Sequence, residues 1–289
     1  MPTEREITGL IPQWCPGCGH YGFLSALKKA IVELDLDPAN VFLVSGIGCS
    51  GRISHYIKVT TFHTLHGRPV PPAVAAKIVN PELNVIAVSG DGDAFAIGIS
   101  HFIHAARRNA DITYVILNNM IYGLTTGQYS PTSLRGQVTK TSPQGNREYP
   151  IDGVKIALAA GATFVARGFS GNIQQLVDLT KKAIQHKGFS YLEVLSPCVT
   201  FNRIATYQWF REHTIDVNTI EKYDPTDMIL VLKTLADLPR DKIPIGLIYI
   251  DTTKKPFHEE ILKDPSKPIS LLDLDPSRYN YEELLKGYV

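Results

Sequence analysis

The sequence predicts an α/β fold, an open parallel sheet with helices on both faces. Three observations lead there. From about residue 25 to residue 195, β-rich apolar runs alternate with segments of helical periodicity, the order that builds strand, helix, strand crossovers. Two of those runs, Val85-Ile86-Ala87-Val88 and Tyr114-Val115-Ile116-Leu117, lead into the polar turns Gly90-Asp91-Gly92-Asp93 and Asn118-Asn119, which should emerge at one sheet edge. A chain of 289 residues with 44% hydrophobic content can also bury a full core.

Taken in order, residues 25–34 read as a helix and 41–45 as a strand ending in the glycine loop Gly46-Ile47-Gly48. A second helix is expected over 71–79. Strand 85–89, helix 94–108 and strand 112–117 follow, the helix carrying apolar residues at helical spacing. The polar, glycine-bearing loop over 122–150 is too long for a plain connection. Helix 152–160, strand 163–166, helix 171–187 and strand 190–195 complete the alternation, and Cys198 lies just beyond. Residues 1–200 thus read as one domain. Over 201–289 the alternation fades into a C-terminal extension expected to pack on the main domain or on a partner, with a strand candidate at 243–250 and a proline-rich, acidic end.

A net charge of +1 gives no general reason to expect nucleic-acid or membrane partners, and no apolar run reaches the ~18 residues of a spanning helix. Met1 to Gln13 mixes charges and prolines where a signal peptide needs an apolar centre, so cytoplasmic residence is the expectation. In a reducing compartment, Cys15, Cys18, Cys49 and Cys198 point away from structural disulfides and toward metal or cluster ligation.

The turn Gly90-Asp91-Gly92 is common by itself, but Asn118-Asn119 one crossover later changes its meaning. Magnesium prefers octahedral oxygen ligands and keeps waters and substrate phosphates, so the protein need supply little. Here that is the Asp91 carboxylate, the Asn119 amide oxygen and the Ile121 main-chain carbonyl. Gly90 and Gly92 let backbone approach a diphosphate, and the helix after them would aim free N–H groups at it. The stretch Gly46-Ile47-Gly48-Cys49-Ser50-Gly51 also matches a dinucleotide fingerprint, which requires an acidic residue further on for the ribose. Between Pro38 and Pro81 there is no Asp or Glu, while Arg52, Lys58, Arg68 and Lys77 stand there, so the nicotinamide reading is disfavoured.

Read together, Gly90-Asp91-Gly92 and Asn118-Asn119 resemble the thiamine-diphosphate-binding signature. The stretches Trp14-Cys15-Pro16-Gly17-Cys18-Gly19, Gly46-Ile47-Gly48-Cys49-Ser50, His63-Thr64-Leu65-His66-Gly67-Arg68 and Tyr122 to Thr132 resemble the β subunit of 2-oxoacid:ferredoxin oxidoreductases, most closely the 2-oxoglutarate type. The resemblance covers roughly the first 200 residues. It implies the diphosphate-type thiamine fold, with Ile47, Gly48, Cys49, Ser50, His66, Gly90, Gly92, Asp93, Gly123, Leu124 and Thr125 around the cofactor and Asp91, Asn119 and Ile121 on Mg2+. It further implies that Cys15, Cys18, Cys49 and Cys198 hold one [4Fe–4S] cluster. On spacing alone, Cys15 and Cys18 are also compatible with half a zinc site or a dithiol, and Cys49 and Cys198 with small buried hydrophobes.

Arg52 is a candidate for a substrate's distal carboxylate, a surface ion pair being the plain alternative, and His66 a candidate catalytic residue beside the cofactor. His101 and His104 read as packing or solvent-facing. The implied activity is reversible oxidative decarboxylation of 2-oxoglutarate with formation of acyl-coenzyme A and reduction of ferredoxin. Thr126 stands where many 2-oxoglutarate-type relatives carry lysine, so pyruvate or broad 2-oxoacid specificity is kept as an alternative, beside a non-oxidative thiamine lyase or transferase subunit with structural zinc. Nothing in the chain matches the domain that carries the cofactor-activating glutamate. That glutamate is therefore expected on an α subunit, or a fused γα chain.

Overall fold

The computed structural model describes residues 2–262, 264–268, 280 and 286. Its centre is an eight-stranded sheet in the order β2-β1-β3-β4-β6-β5-β8-β7. The strands are β1 (Val41–Ser45), β2 (Thr60–His63), β3 (Asn84–Gly90), β4 (Thr113–Asn118), β5 (Phe164–Phe169), β6 (Ser190–Leu195), β7 (Thr214–Asp216) and β8 (Ile243–Ile250). β1 to β6 pair in parallel, β8 runs antiparallel to β5, and β7 lies parallel to β8.

The central strands read as unbroken apolar runs because both faces of the sheet are covered. On one face Val85, Ala87, Tyr114 and Ile116 join a core with Phe95, Phe102 and Tyr191. On the other, Ile86, Val88, Val115 and Leu117 pack with Phe23, Leu27 and Leu176. Helices α1 (His20–Glu33) and α5 (Ile173–Gln185) supply the second layer, with Leu27 from one and Leu176 and Val177 from the other. Helices α2 (Val70–Val79), α3 (Ile99–Arg107) and α4 (Gly153–Ala159) belong to the first. The starts of α4 and α5 are fixed by side chains, with Asp152 accepting from the Val154 N–H and Asn172 from the Gln175 N–H.

The expected helix over 94–108 is divided. Asp93–Ile97 forms a π-helical turn, its wide ring closed by the Gly98 N–H donating to the Asp93 carbonyl at 3.1 Å, and the α-helix starts at Ile99. Such wide turns cluster at functional sites. Strand β2 is absent from the sequence pattern, since all four of its residues are exposed and form the outer edge.

The expected C-terminal extension contributes α6 (Tyr207–His213), β7, α7 (Met228–Asp237), β8 and α8 (Phe257–Ile261). Strand β8 enters the main sheet through its pairing with β5. The proline-rich, acidic end lies almost wholly outside the described residues. Among the described residues, no helix is long and apolar enough to cross a membrane.

Candidate active site

Strands β3 and β4 are in register with Gly90 opposite Leu117, so their polar exits, Asp91 and Asn118-Asn119, leave the sheet side by side. Asp91 and Asn119 border a cleft of about 420 Å3. Every residue expected around the cofactor borders it too: Ile47, Gly48, Cys49, Ser50, His66, Gly90, Gly92, Asp93, Gly123, Leu124 and Thr125, with the magnesium candidates Asp91, Asn119 and Ile121.

Asp91 is 2% exposed. Its Oδ2 accepts from the Ser130 hydroxyl at 2.5 Å and the Thr132 hydroxyl at 2.6 Å, both from the long loop after β4. The same Thr132 hydroxyl oxygen lies 3.0 Å from Asn118 Oδ1, and Asn118 Nδ2 donates to Glu193 Oε1 at 2.6 Å. Burial pushes the Asp91 carboxyl up to about 6, against the hydroxyl donors that pull it down. A buried carboxylate held by neutral donors suits a cation that supplies the missing charge. Asn119 Oδ1 accepts one bond, from the Ile121 N–H at 3.1 Å, and an amide oxygen has a second lone pair for a ligand.

Asp93 borders the cleft and also bonds extensively within its own chain. Its Oδ1 accepts from the Gly67 N–H at 2.7 Å and the Ile47 N–H at 3.1 Å, and it lies 3.0 Å from His66 Nδ1. Its Oδ2 accepts from Ser89 at 2.7 Å. The carboxylate is therefore spent on tying the loops after β1 and β2 to the end of β3, and on orienting His66 at the edge of the cleft. Gly46 is required by that knot, because a Cβ there would stand 1.8 Å from Asp93 Oδ2. Gly46→Ala is expected to destabilise the protein by about 1–3 kcal/mol through overpacking, read as a lower melting temperature.

All four cysteines are free and line one second cavity of about 170 Å3. Cys198 Sγ and Cys49 Sγ lie 3.5 and 3.7 Å from where a Cβ on Gly123 would stand, so glycine leaves the space between cleft and cysteines open. Cys49, Asn119, Gly123 and Leu124 border both cavities. Burial pushes the Cys18 thiol up to about 12; the His20 backbone N–H opposes this, and charge on the other cysteines adds to it. Cys49 is likewise pushed up to about 11 by burial, then by Cys198 and Cys15, with Arg52 opposing. Thiols so placed ionise together only around a cationic group, which is what a metal cluster provides. Among the described residues, no His, Cys, Asp and Glu side chains gather as a single-ion metal site. A cluster distributes its thiolates over several irons and makes a different geometric demand.

Arg52 stands apart from the other candidates. It does not border the cofactor cleft; it lines the cysteine cavity, bonds Gln13 Oε1 at 3.2 Å and acts electrostatically on Cys49. The 3-10 turn Ser50–His55 that carries it begins at the shared wall and carries Arg52 to the cysteine side. On α3, His101 is half-buried and His104 exposed, in line with their plain reading.

Several site residues carry no sequence signal of their own. Ser130 and Thr132 fall inside a stretch marked only by its resemblance, and their bonds to Asp91 span a loop with no local pattern. His20, directly after Cys18-Gly19, borders the cleft with Nδ1 2.6 Å from Ser196 Oγ; burial pushes it down to about 4, so it is neutral. Asn202 is buried just beyond Cys198, in a segment without a motif.

Comparison with known proteins agrees with this geometry. Residues 46–194 match the family model of the thiamine pyrophosphate enzyme C-terminal TPP-binding domain, and residues 198–263 match the family model for the C-terminal part of the pyruvate ferredoxin oxidoreductase β chain. The chain is 41% identical over 264 residues to 2-oxoacid:ferredoxin oxidoreductase 2, subunit beta, of Aeropyrum pernix, covering 87% of this chain and 84% of that protein. It is 40% identical to the 2-oxoglutarate synthase subunit KorB of Methanothermobacter marburgensis, covering 80% and 84%. A solved 2-oxoglutarate:ferredoxin oxidoreductase from Magnetococcus marinus, with 2-oxoglutarate, coenzyme A and succinyl-CoA bound, superposes with a TM-score of 0.90 at 34% identity over 100% of this chain and 96% of that one. With the diphosphate-type sheet edge, the Asp91 and Asn119 exits and these relatives in agreement, the chain belongs to the 2-oxoacid:ferredoxin oxidoreductase β-subunit family and carries its thiamine-diphosphate-binding domain.

Proposed function

We propose that the chain is the β subunit of a thiamine-diphosphate-dependent 2-oxoglutarate:ferredoxin oxidoreductase. The observation that carries this reading is the wall shared by the cofactor cleft and the four-cysteine cavity, formed by Cys49, Asn119, Gly123 and Leu124. A decarboxylase without redox function has no use for thiols there. An oxidoreductase must move electrons from the substrate carbon to an acceptor, and a short crossing at Gly123 suits that need.

In this reading Asp91, Asn119 and the Ile121 carbonyl hold Mg2+, and Gly90, Gly92 and Gly123 admit the diphosphate. Cys15, Cys18, Cys49 and Cys198 hold a [4Fe–4S] cluster. When bound, thiamine diphosphate supplies the carbanion chemistry of decarboxylation, the cluster supplies one-electron transfer, and coenzyme A takes the acyl group. The chain's residues bind, orient and shield. Asp93 fixes His66 through Nδ1, leaving Nε2 for a proton at the cleft. Arg52 places positive charge beside Cys49. The activating glutamate arrives on the α subunit, and ferredoxin receives the electrons.

Anaerobic purification with the partner subunits tests the reading. A brown complex absorbing broadly near ~400 nm, with iron, sulfide and thiamine diphosphate and faster turnover of 2-oxoglutarate than pyruvate, is expected. A colourless complex carrying zinc would instead mean a non-oxidative thiamine enzyme. Preference for pyruvate would keep the family and overturn the substrate.

A further inference from the structure

Asn202 is 2% exposed and lies between the two cavities' supporting turns. Its Nδ2 donates to the main-chain carbonyls of Asn119 at 2.9 Å and Met120 at 3.4 Å. Its Oδ1 accepts from the N–H groups of Ile204 at 3.1 Å and Ala205 at 3.0 Å, and its own N–H donates to the Cys198 carbonyl at 3.1 Å. One residue thus fastens the two turns, its side chain holding the turn that presents Asn119 and its backbone N–H the turn that presents Cys198. The Asn119 turn has need of such a fastening, because Met120 holds φ at +56°, in the left-handed region that a side chain disfavours. Ser133 also donates to the Met120 carbonyl, at 2.6 Å, but it has no bond to the cysteine side.

We propose that Asn202 is a positioning residue that couples the magnesium–diphosphate site to the cysteine site. The inference rests on the functional reading above. Ordering either site orders the turn that supports the other, and such coupling is reciprocal in binding free energy. Thermodynamic coupling of this kind would have cofactor binding settle Cys198, and an occupied cysteine site settle Asn119.

Asn202→Asp separates the two halves of the link. An aspartate still accepts from Ile204 and Ala205, so its own turn is kept, but it turns an acceptor toward the carbonyls of Asn119 and Met120 and breaks the fastening. The test uses the anaerobically purified complex. The wild type must first carry iron and bind Mg2+ and thiamine diphosphate; failure there removes the functional reading, not this inference alone. In the variant, affinity for thiamine diphosphate with Mg2+ is expected to fall by about 10–100-fold, the usual effect of losing an outer-shell partner. The electron paramagnetic resonance spectrum of the dithionite-reduced cluster is expected to change as well, because the turn that presents Cys198 is no longer tied to the Asn119 turn. An effect confined to one site, or to neither, overturns the coupling. If the variant does not assemble, hydrogen exchange on the wild-type complex decides: residues 198–206 should exchange more slowly once Mg2+ and thiamine diphosphate are bound, and unchanged exchange overturns the proposal.

Discussion

Asp91→Ala is expected to remove magnesium-dependent binding of thiamine diphosphate, and turnover with it, while leaving the fold intact. The carboxylate is the one charged group among the three candidate ligands, and its loss removes the attraction that brings a divalent cation to this edge of the sheet. The effect should exceed the about 10–100-fold cost typical of an outer-shell partner. The hydroxyls of Ser130 and Thr132 both donate to Asp91 Oδ2, and alanine would leave them facing an apolar gap. Asp91→Asn separates charge from shape, since an amide oxygen can still accept from both hydroxyls. The asparagine variant should therefore melt close to the wild type without cofactor and still fail to bind it. Calorimetric titration with thiamine diphosphate in the presence and absence of Mg2+ measures the difference. Retained magnesium-dependent binding in Asp91→Ala would remove Asp91 from the site.

What the sequence reveals of this site follows the physics of each signal. Asp91 and Asn119 are legible because apolar runs locate strand ends, and parallel strands deliver their ends to one edge. The cysteines are legible as a set through resemblance, but spacing alone leaves zinc and simple packing open. The hydroxyls on Asp91 are not legible, because Ser and Thr are ordinary in loops and a bond reaching from Ser130 back to Asp91 leaves no local pattern. Arg52 stands out by its charge, yet its position depends on which side of a wall a short turn carries it. At the fold level, β8 is visible as a strand, yet nothing in Ile243–Ile250 encodes its antiparallel pairing with β5. The exposed edge strand β2 lacks the buried residues that make strands visible.

The largest effect on stability should come from Arg167→Met. Arg167 on β5 stands opposite Glu193 on β6, deep in the sheet, 5% and 1% exposed respectively. The guanidinium donates to Glu193 Oε2 at 2.9 Å and to Asp152 Oδ1 at 2.7 Å. Glu193 accepts in addition from Tyr191 at 3.1 Å and Asn118 at 2.6 Å. Removing the cation leaves the Glu193 carboxylate in the interior without a countercharge, which typically costs about 3–5 kcal/mol. Asp152 is less exposed to this loss, because its side chain is 34% accessible and finds water. Most of the cost is thus a penalty on Glu193 rather than the net worth of the pair, and that distinction is measurable. Arg167→Met combined with Glu193→Gln removes the stranded charge while keeping an amide oxygen for the Asn118 donor and turning an amide N–H toward the Tyr191 hydroxyl oxygen, which can accept. A pH profile gives an independent check. Burial raises the Asp152 carboxyl, but the charge and hydrogen bond of Arg167, helped by Lys155, leave it below its ordinary value. A depressed carboxyl stabilises the fold above its unfolded-state value and loses that contribution as pH falls through its folded-state value. The wild type should therefore lose stability on acidification below the ordinary aspartate range more steeply than Arg167→Met, in which that depression is absent.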